Sequence, residues 1–404
     1  MDDRIAITGM GIVSPLGVGR ERTLEAVRNA SPGIRALSNF DASSLSCRIG
    51  GEIPDAWLDG SDLDHDRFTT LALIAAAEAC ATLPEESDSR RTGVLIASGL
   101  GGGETLDIGY QRLYGRNQAR VHPMTIPRAM YNAATSAVAR VHQAKGPAFS
   151  IVSACASGTH AIGQAALWIK AGLAGRVIAG AADAPLHTGT IRAWESLRVL
   201  APSDGDPGRA CRPFSADRCG IVLGEGAAVV VLERMELAKA RGAEIFGEIA
   251  GFGMSSDAGH VTDPSVDGAA RAMEMAMESG RLAPDAIGYV NAHGTATRAN
   301  DPAETAAIRQ VFGATAERLQ VSSTKSMHAH AMGASGAIEL VLSLTALNEG
   351  VIPATINYTV PDPECDLDYV PNAAREGRVD AFLSNSFGFG GLNGVLAVRT
   401  KHGL

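Results

Sequence analysis

The chain has 404 residues, with 35 Lys and Arg against 44 Asp and Glu for a formal charge of −9, and is 46% apolar and 20% charged. That length suits two packed units or one large α/β domain, and the composition excludes a disordered chain. The acidic balance argues against a broad nucleic-acid-binding surface, and no apolar run approaches the ~18–20 residues of a membrane-spanning helix. The start, Met1-Asp2-Asp3-Arg4, is acidic and has the wrong chemistry for a signal peptide. Six Cys without paired spacing read as reduced thiols, so a cytoplasmic location is expected.

In chain order, residues 4–11 (RIAITGMG) alternate as a strand running into a turn, and the Ala-rich stretch 68–81 predicts a buried helix. The apolar run 92–98 predicts a strand, followed by a run of glycines through Gly103. A strand is expected at 148–154, a long helix at 155–171 and a strand at 176–182. A second series repeats the alternation: strands at 226–232 and 248–253, a helix at 267–279, a strand at 287–292, a helix at 302–312, a strand at 319–322, a helix at 336–348 and strands at 381–385 and 394–398. Continuous apolar strands separated by helices indicate sheets covered on both faces. The segment RIAITGMGIVSPLG weakly echoes FGEIAGFGMSSDAG from Phe246, as a duplication would leave; halves at 1–240 and 241–404 are expected, fused into one body.

Four segments concentrate chemistry. Ser153-Ala154-Cys155-Ala156-Ser157-Gly158-Thr159-His160 lies between a strand and a helix, where unpaired N–H groups favour a thiolate. Taken alone, it equally describes a buried Cys in a tight turn. Asn291-Ala292-His293-Gly294-Thr295-Ala296-Thr297 ends an apolar strand, where ligands meet α/β sheets, though a His capping a turn has the same look. Ser322-Ser323-Thr324-Lys325-Ser326-Met327-His328-Ala329-His330 crowds Lys and His among small residues, as a polar pocket or a solvated loop would. Asn385-Ser386-Phe387-Gly388-Phe389-Gly390-Gly391-Leu392-Asn393-Gly394 offers glycines and two Phe, either to cover an apolar ligand or to make a turn with two core Phe. A metal site is not expected: there is no HExxH and no CxxC, and Lys325 would repel a cation beside His328 and His330.

Taken together and in this order, the motifs resemble the elongating β-ketoacyl-acyl-carrier-protein synthases of the thiolase superfamily. The similarity runs nearly end to end and includes Thr8-Gly9-Met10-Gly11-Ile12-Val13-Ser14-Pro15-Leu16-Gly17, Arg212-Pro213-Phe214, Gly224-Glu225-Gly226 and Gly253-Met254-Ser255-Ser256-Asp257. The resemblance implies an α/β fold, a thiolase-like five-layered αβαβα body of two similar halves. The N-terminal half carries the nucleophilic Cys; the C-terminal half carries both catalytic His and the Phe/Gly-rich gating loop. The implied reaction is decarboxylative Claisen condensation of an acyl chain with malonyl-ACP. Cys155 is then the nucleophile, with the backbone N–H groups of Cys155 and Phe389 as oxyanion hole and His293 and His330 on the malonyl thioester carbonyl. Thr295 and Thr297 are implied to bond the phosphopantetheine arm, Phe387 and Phe389 to gate the pocket, and Lys325, Asp301, Glu304 and Glu339 to form a supporting ion network. Trp194 falls where an aromatic lines the acyl pocket, and Leu100 where an aliphatic closes its base. No cofactor is implied beyond the phosphopantetheine arm of the carrier protein that delivers both thioesters.

Departures from the family pattern are His328 and Ala329 in place of Thr-Gly, Leu392 in place of Thr, and Cys219-Gly220-Ile221 in place of Asp-Gly-Phe. His328 is assigned to packing or support, and the His-x-His variant is similar to synthases of specialised pathways, such as nodulation-factor acyl chains or aryl polyenes. A homodimer is expected; the alternatives are the catalytic subunit of a heterodimer with a chain-length-factor partner, a thiolase-type acyltransferase, or a non-catalytic binding subunit. Cys155 opposes the last, and the missing second Cys in the final Gly-rich motif opposes the thiolase. Docking an acidic carrier on a chain of charge −9 requires a local basic patch. The resemblance places Arg198 and Arg120 at or near it and Arg67 close by. Arg112, Arg116 and Arg128 add density, while Asp62, Asp64 and Asp66 crowd Arg67.

Overall fold

The computed structural model describes residues 3–58, 65–83 and 88–404. Strands β1 (Ile5–Ser14), β2 (Thr92–Ala97), β3 (Arg176–Asp183) and β4 (Gly226–Arg234) are ordered β2-β3-β4-β1. Strands β5 (Gly247–Ser256), β6 (Tyr289–Asn291), β7 (Gln320–Ser322), β8 (Ala381–Gly388) and β9 (Leu392–Thr400) are ordered β5-β9-β8-β6-β7. The two sets join where β1 pairs antiparallel with β5, Ile5 opposite Ile249 and Ile7 opposite Gly247. Their apolar runs are buried on both faces because helices cover each side.

Helix α1 (Arg67–Cys80), with α2 (Ala133–Val141) beside it, covers β1, β4 and β3 from outside. Helix α3 (Ser157–Lys170) lies between the two sets of strands, touching β2, β3 and β4 on one side and β5 and β9 on the other. Helix α4 (Thr188–Leu197) follows β3, and α5 (Val266–Gly280) covers β5 and β9 with α6 (Asn300–Phe312) against it. Helix α7 (Ser335–Asn348) joins α3 in the central layer, and all 14 of its residues are buried. The layers therefore run helix, sheet, helix, sheet, helix.

The echo between the two halves has a steric cause. A Cβ added at Gly9 or Gly11 of β1 would lie 2.0 Å from the carbonyl oxygen of Ala79 or Ala75 in α1. At Gly251 or Gly253 of β5 it would lie 2.0 Å from that of Ala276 or Ala272 in α5. Each outer helix thus presses its backbone onto a strand that only glycine permits at two alternate positions.

Two expected elements differ. Segment 148–154 is not a strand: Ala148 bridges Val94, and Phe149 and Val152 stay exposed. It runs along the outer edge beyond β2, where among the described residues no chain completes a ladder on its far side. The helix expected from residue 155 begins at Ser157, because Ser157 Oγ donates to the Ala154 carbonyl at 2.6 Å and accepts from the Ser153 N–H at 2.8 Å. The last Gly-rich motif is a hairpin pairing Gly388 with Leu392, and Gly390 and Gly391 take φ of +83° and +69° at its tip.

Candidate active site

Cys155 sits in the turn before α3, after Ala154 in a left-handed conformation (φ +49°). The turn aims the sulfur at His330, whose Nε2 lies 3.2 Å away. Burial pushes the thiol up to about 11, although Lys325 and the backbone N–H groups of Phe389 and Cys155 pull the other way. The thiolate expected from the helix end is therefore not the resting state: Ser157, two residues on, opens the helix, and desolvation outweighs the donors. Those two N–H groups face the sulfur, where a thioester carbonyl oxygen would be received.

His293 follows β6 on a loop held by Glu304, which accepts from the His293 and Gly294 N–H groups at 2.8 Å each and from Asn385 Nδ2 at 3.1 Å. Gly294 takes φ +37° with Ser323 against it, so the turn leaves no room for a side chain. Lys325 Nζ donates to the His293 carbonyl at 2.6 Å and lies 3.5 Å from His293 Nδ1. An ammonium has only protons to offer, so Nδ1 must be the bare nitrogen and Nε2 carries the proton. Burial, then Lys325 and His330, hold His293 well below its ordinary range, so the ring is neutral.

His330 lies across from His293, ring centroids 5.5 Å apart and nearly perpendicular at 85°. Its Nδ1 is 2.7 Å from Ser335 Oγ, and burial followed by the Lys325 charge keeps this ring neutral as well. The Cys155 sulfur and one ring nitrogen from each His lie within 4.8 Å of one another. Such a trio could hold a cation by distance alone, but the Lys325 charge beside His293 opposes one.

Of the expected ion network, Glu339 is the carboxylate that pairs directly with Lys325 among the described residues. Burial lifts Glu339 to about 7 while Lys325 draws it down. Glu304 holds the His293 loop as described, and Asp301, raised to about 6 by burial, accepts from the Phe214 N–H at 2.8 Å. These two carboxylates shape backbone rather than pair with Lys325. His328 is fully buried, with Nε2 3.1 Å from Thr324 Oγ1 and no hydrogen-bond partner for Nδ1 among the described residues, and burial lowers it to about 3. It does not line the cavity that opens on Cys155. Ala329, between the two His, takes φ +65° and ψ −174°, a region that glycine favours.

A narrow cavity of about 110 Å³ opens on Cys155, His293 and His330. Thr295, Thr297, Trp194, Phe387 and Phe389 line it, and the Thr295 and Thr297 hydroxyls are 3.0 Å apart. Trp194 stacks on Phe389, centroids 5.7 Å apart at 28°. Leu100 is not part of the lining; it packs in the apolar cluster behind Trp194 while its N–H donates to Asp183. Asp183 was not singled out from the sequence, yet it accepts from Ser98, Gly99 and Leu100 and fixes the Gly-rich loop beside the site. Its position at the end of β3 was the available signal.

Profiles of two domains match the chain: "Beta-ketoacyl synthase, N-terminal domain" over residues 2–238 and "Beta-ketoacyl synthase, C-terminal domain" over residues 246–359. The chain belongs to the β-ketoacyl synthase family. Nodulation protein E of Rhizobium sp. (strain N33) is 42% identical over 99% of this chain and 100% of its own. The 3-oxoacyl-[acyl-carrier-protein] synthase 2 of Coxiella burnetii is 41% identical over 98% of each chain. Among solved structures, a chain of the AntDE:AntF complex, a type II polyketide acyl-carrier protein with its ketosynthase bound to the hexaketide, superposes with a TM-score of 0.91 at 31% identity, covering 99% of this chain and 100% of that one. This β-ketoacyl synthase is thus a condensing enzyme of fatty-acid or polyketide type with the thiolase-like five-layered fold.

On the synthase surface, Arg198 and Arg120 are exposed, as are Arg112 and Arg116, while Arg128 is half-buried and engaged. Arg67 departs from its expected docking role. It turns inward to grip Glu225 through Nε and the Ile53 carbonyl through Nη2, and also pairs with Asp55. Its charge is spent on a buried carboxylate that needs it. Asp66 is no surface acid: it is buried and caps α1 by accepting from the Phe68 N–H. Asp62 and Asp64 lie outside the described residues.

Proposed function

We propose that Cys155 carries the acyl chain and that His293 and His330 drive decarboxylation of a malonyl thioester, both substrates arriving on the phosphopantetheine arm of an acyl carrier protein. The observation that carries this reading is the Cys155 sulfur 3.2 Å from His330 Nε2, with His293 set perpendicular across from it. Acyl transfer begins with a protonated thiol. Its proton passes from sulfur to His330 Nε2 as sulfur attacks the thioester carbonyl, and then to the departing pantetheine sulfur. The malonyl thioester next places its carbonyl oxygen between the two imidazoles. Its C–CO₂ bond breaks, carbon dioxide leaves, and the two Nε2–H groups stabilise the enolate oxygen. The enolate carbon attacks the acyl carbonyl, whose oxygen is held by the Cys155 and Phe389 N–H groups. That attack forms the carbon–carbon bond, and collapse of the tetrahedral intermediate restores the carbonyl, breaks the bond to sulfur and expels the Cys155 thiolate, which takes up a proton. Thr295 and Thr297 bond the arm, and Phe387 and Phe389 gate the slot.

Homodimerisation through segment 148–154 is supported by its exposed Phe149 and Val152 beside the edge strand β2; pairing there with a chain-length-factor-like subunit uses the same edge. A cytoplasmic setting fits this chemistry, and no helix among the described residues is long and apolar enough to cross a membrane. Intact mass after incubation with acyl-ACP tests the assignment. The wild type should gain one acyl group, and Cys155→Ala should gain none and form no β-ketoacyl product. Condensation by the Cys155→Ala protein would overturn it.

A further inference from the structure

The two catalytic imidazoles are held by different kinds of partner. Lys325 can only donate, so it fixes the His293 tautomer with the proton on Nε2. His330 Nδ1 instead faces the hydroxyl of Ser335, the first residue of α7, at 2.7 Å, and Ser335 is buried with no other side chain bonded to its hydroxyl among the described residues. A hydroxyl both donates and accepts, and it turns about its C–O bond without moving any heavy atom. The reaction asks two things of His330 Nε2. Facing the Cys155 thiol at 3.2 Å it must accept a proton, which puts the resting ring proton on Nδ1. Facing a thioester carbonyl it must donate, which leaves Nδ1 bare.

We infer that Ser335 is a positioning residue that accommodates both tautomers of His330, accepting from Nδ1–H during acyl transfer and donating to bare Nδ1 during decarboxylation. The hydroxyl changes role by rotation, and the ring proton moves from Nδ1 to Nε2 by exchange with water admitted to the cavity between the half-reactions, one proton lost from the ring and one regained, so that Ser335 stays a neutral hydroxyl. A donor-only neighbour such as Lys325 supplies one state and not the other. The packing around the helix start favours this role over a capping one: Ser335 is the opening residue of α7, its Oγ is directed at the imidazole, and α7 has no side-chain cap.

The inference rests on the proposed roles of Cys155 and His330, and its test separates the two. In Ser335→Ala, acyl transfer to Cys155 followed by intact mass and carbon dioxide release from malonyl-ACP should each slow about tenfold, the cost of one lost hydrogen bond to a group that gains charge. The thermal midpoint should stay near that of the wild type, since Ala is a good helix former. A second readout uses the wild-type enzyme labelled with ¹⁵N in histidine, with the His330 signals assigned from His330→Asn. The resting enzyme should carry the ring proton on Nδ1. Alkylation of Cys155 with iodoacetamide, which replaces the thiol hydrogen with a carbamoylmethyl group (releasing iodide and a proton) and so removes the S–H donor and brings an amide oxygen beside the ring, should move it to Nε2. Ser335→Ala rates within twofold of wild type, a loss confined to one half-reaction, or a ring that keeps one tautomer in both states would each overturn the inference. Those results would leave the proposed function standing, which falls only if Cys155→Ala still condenses.

Discussion

Trp194 stacks on Phe389 at 5.7 Å between ring centroids, so one residue of the cavity wall leans directly on the hairpin tip that borders Cys155. The cavity they border, about 110 Å³, is smaller than the ~300–1,000 Å³ usual for ligand pockets, and both rings form part of its wall.

Trp194→Ala should therefore lengthen the product chain. Each methylene buried is worth about 0.8 kcal/mol, enough to shift selectivity several-fold per carbon. Leu100→Ala should shift it less, because Leu100 packs behind the wall and not in it. Product profiles with acyl-ACPs of graded length check this; an unchanged profile in Trp194→Ala would place the pocket boundary elsewhere.

The imidazoles of His293, His328 and His330 should separate by function. His293→Ala and His330→Ala should each cut malonyl decarboxylation on the order of a hundred- to a thousandfold, the cost of one oxyanion donor. His328→Thr should change it little, but it should alter the response to acid. His328 is lowered to about 3 in the folded chain, so below its ordinary value of 6.5 the unfolded chain binds the proton first. Stability is thus lost as pH falls from 6.5 towards 3. Removing His328 should flatten that loss by about 1.4 kcal/mol per pH unit, the weight of one proton. Urea unfolding at several pH values measures it, and parallel pH curves for the two proteins would refute the assignment.

The site residues legible in the sequence are those whose chemistry sits within a few positions of a strand end. Cys155, His293 and His330 each belong to such a segment, and the order of those segments identified the family. What could not be read depends on layers folding together. The thiol state of Cys155 follows from complete burial, which no local motif displays. Arg67 reads as a surface charge until Glu225, far along the chain, is brought under it. The strand expected at 148–154 has the right composition, but a ladder needs a second edge. Glu304 and Asp301 look like partners for a buried Lys, whereas backbone N–H groups reach them first. The glycine echo between β1 and β5, weak as letters, becomes specific only when both pairs meet helix carbonyls.

The Lys325–Glu339 pair should show strong coupling. Both side chains are almost wholly buried, so Lys325→Met leaves an unpaired carboxyl in the core, at a cost of about 3–5 kcal/mol. Combining it with Glu339→Gln should restore part of that loss, because the stranded charge is gone. Activity should not return, since the His293 Nδ1 side stays without its donor. A double-mutant cycle on unfolding free energies tests the pair, and additive effects would show that the two residues act independently.

Carrier docking should depend on Arg198. This residue closes α4 in a left-handed conformation, φ +56°, and is exposed, while Trp194 one turn earlier is buried in the pocket wall. The same short helix thus spans the distance from the cavity to the surface. Arg198 and Arg120 have no ion pair among the described residues, so their charges are free to meet an acidic partner, unlike that of Arg67. The net charge of −9 repels such a partner at long range, which makes a local patch decisive for encounter. Arg198→Glu should weaken use of acyl-ACP far more than use of acyl-CoA, which lacks the carrier's acidic surface. The ACP reaction should slow with added salt, because exposed charges are screened beyond a Debye length of ~8–10 Å. Arg67→Gln should behave differently, lowering stability through the stranded Glu225 carboxylate and affecting both substrates alike. If Arg198→Glu reduced both substrates equally with no salt dependence, Arg198 would belong to the pocket through α4 and Trp194, and the docking patch would have to be sought around Arg120.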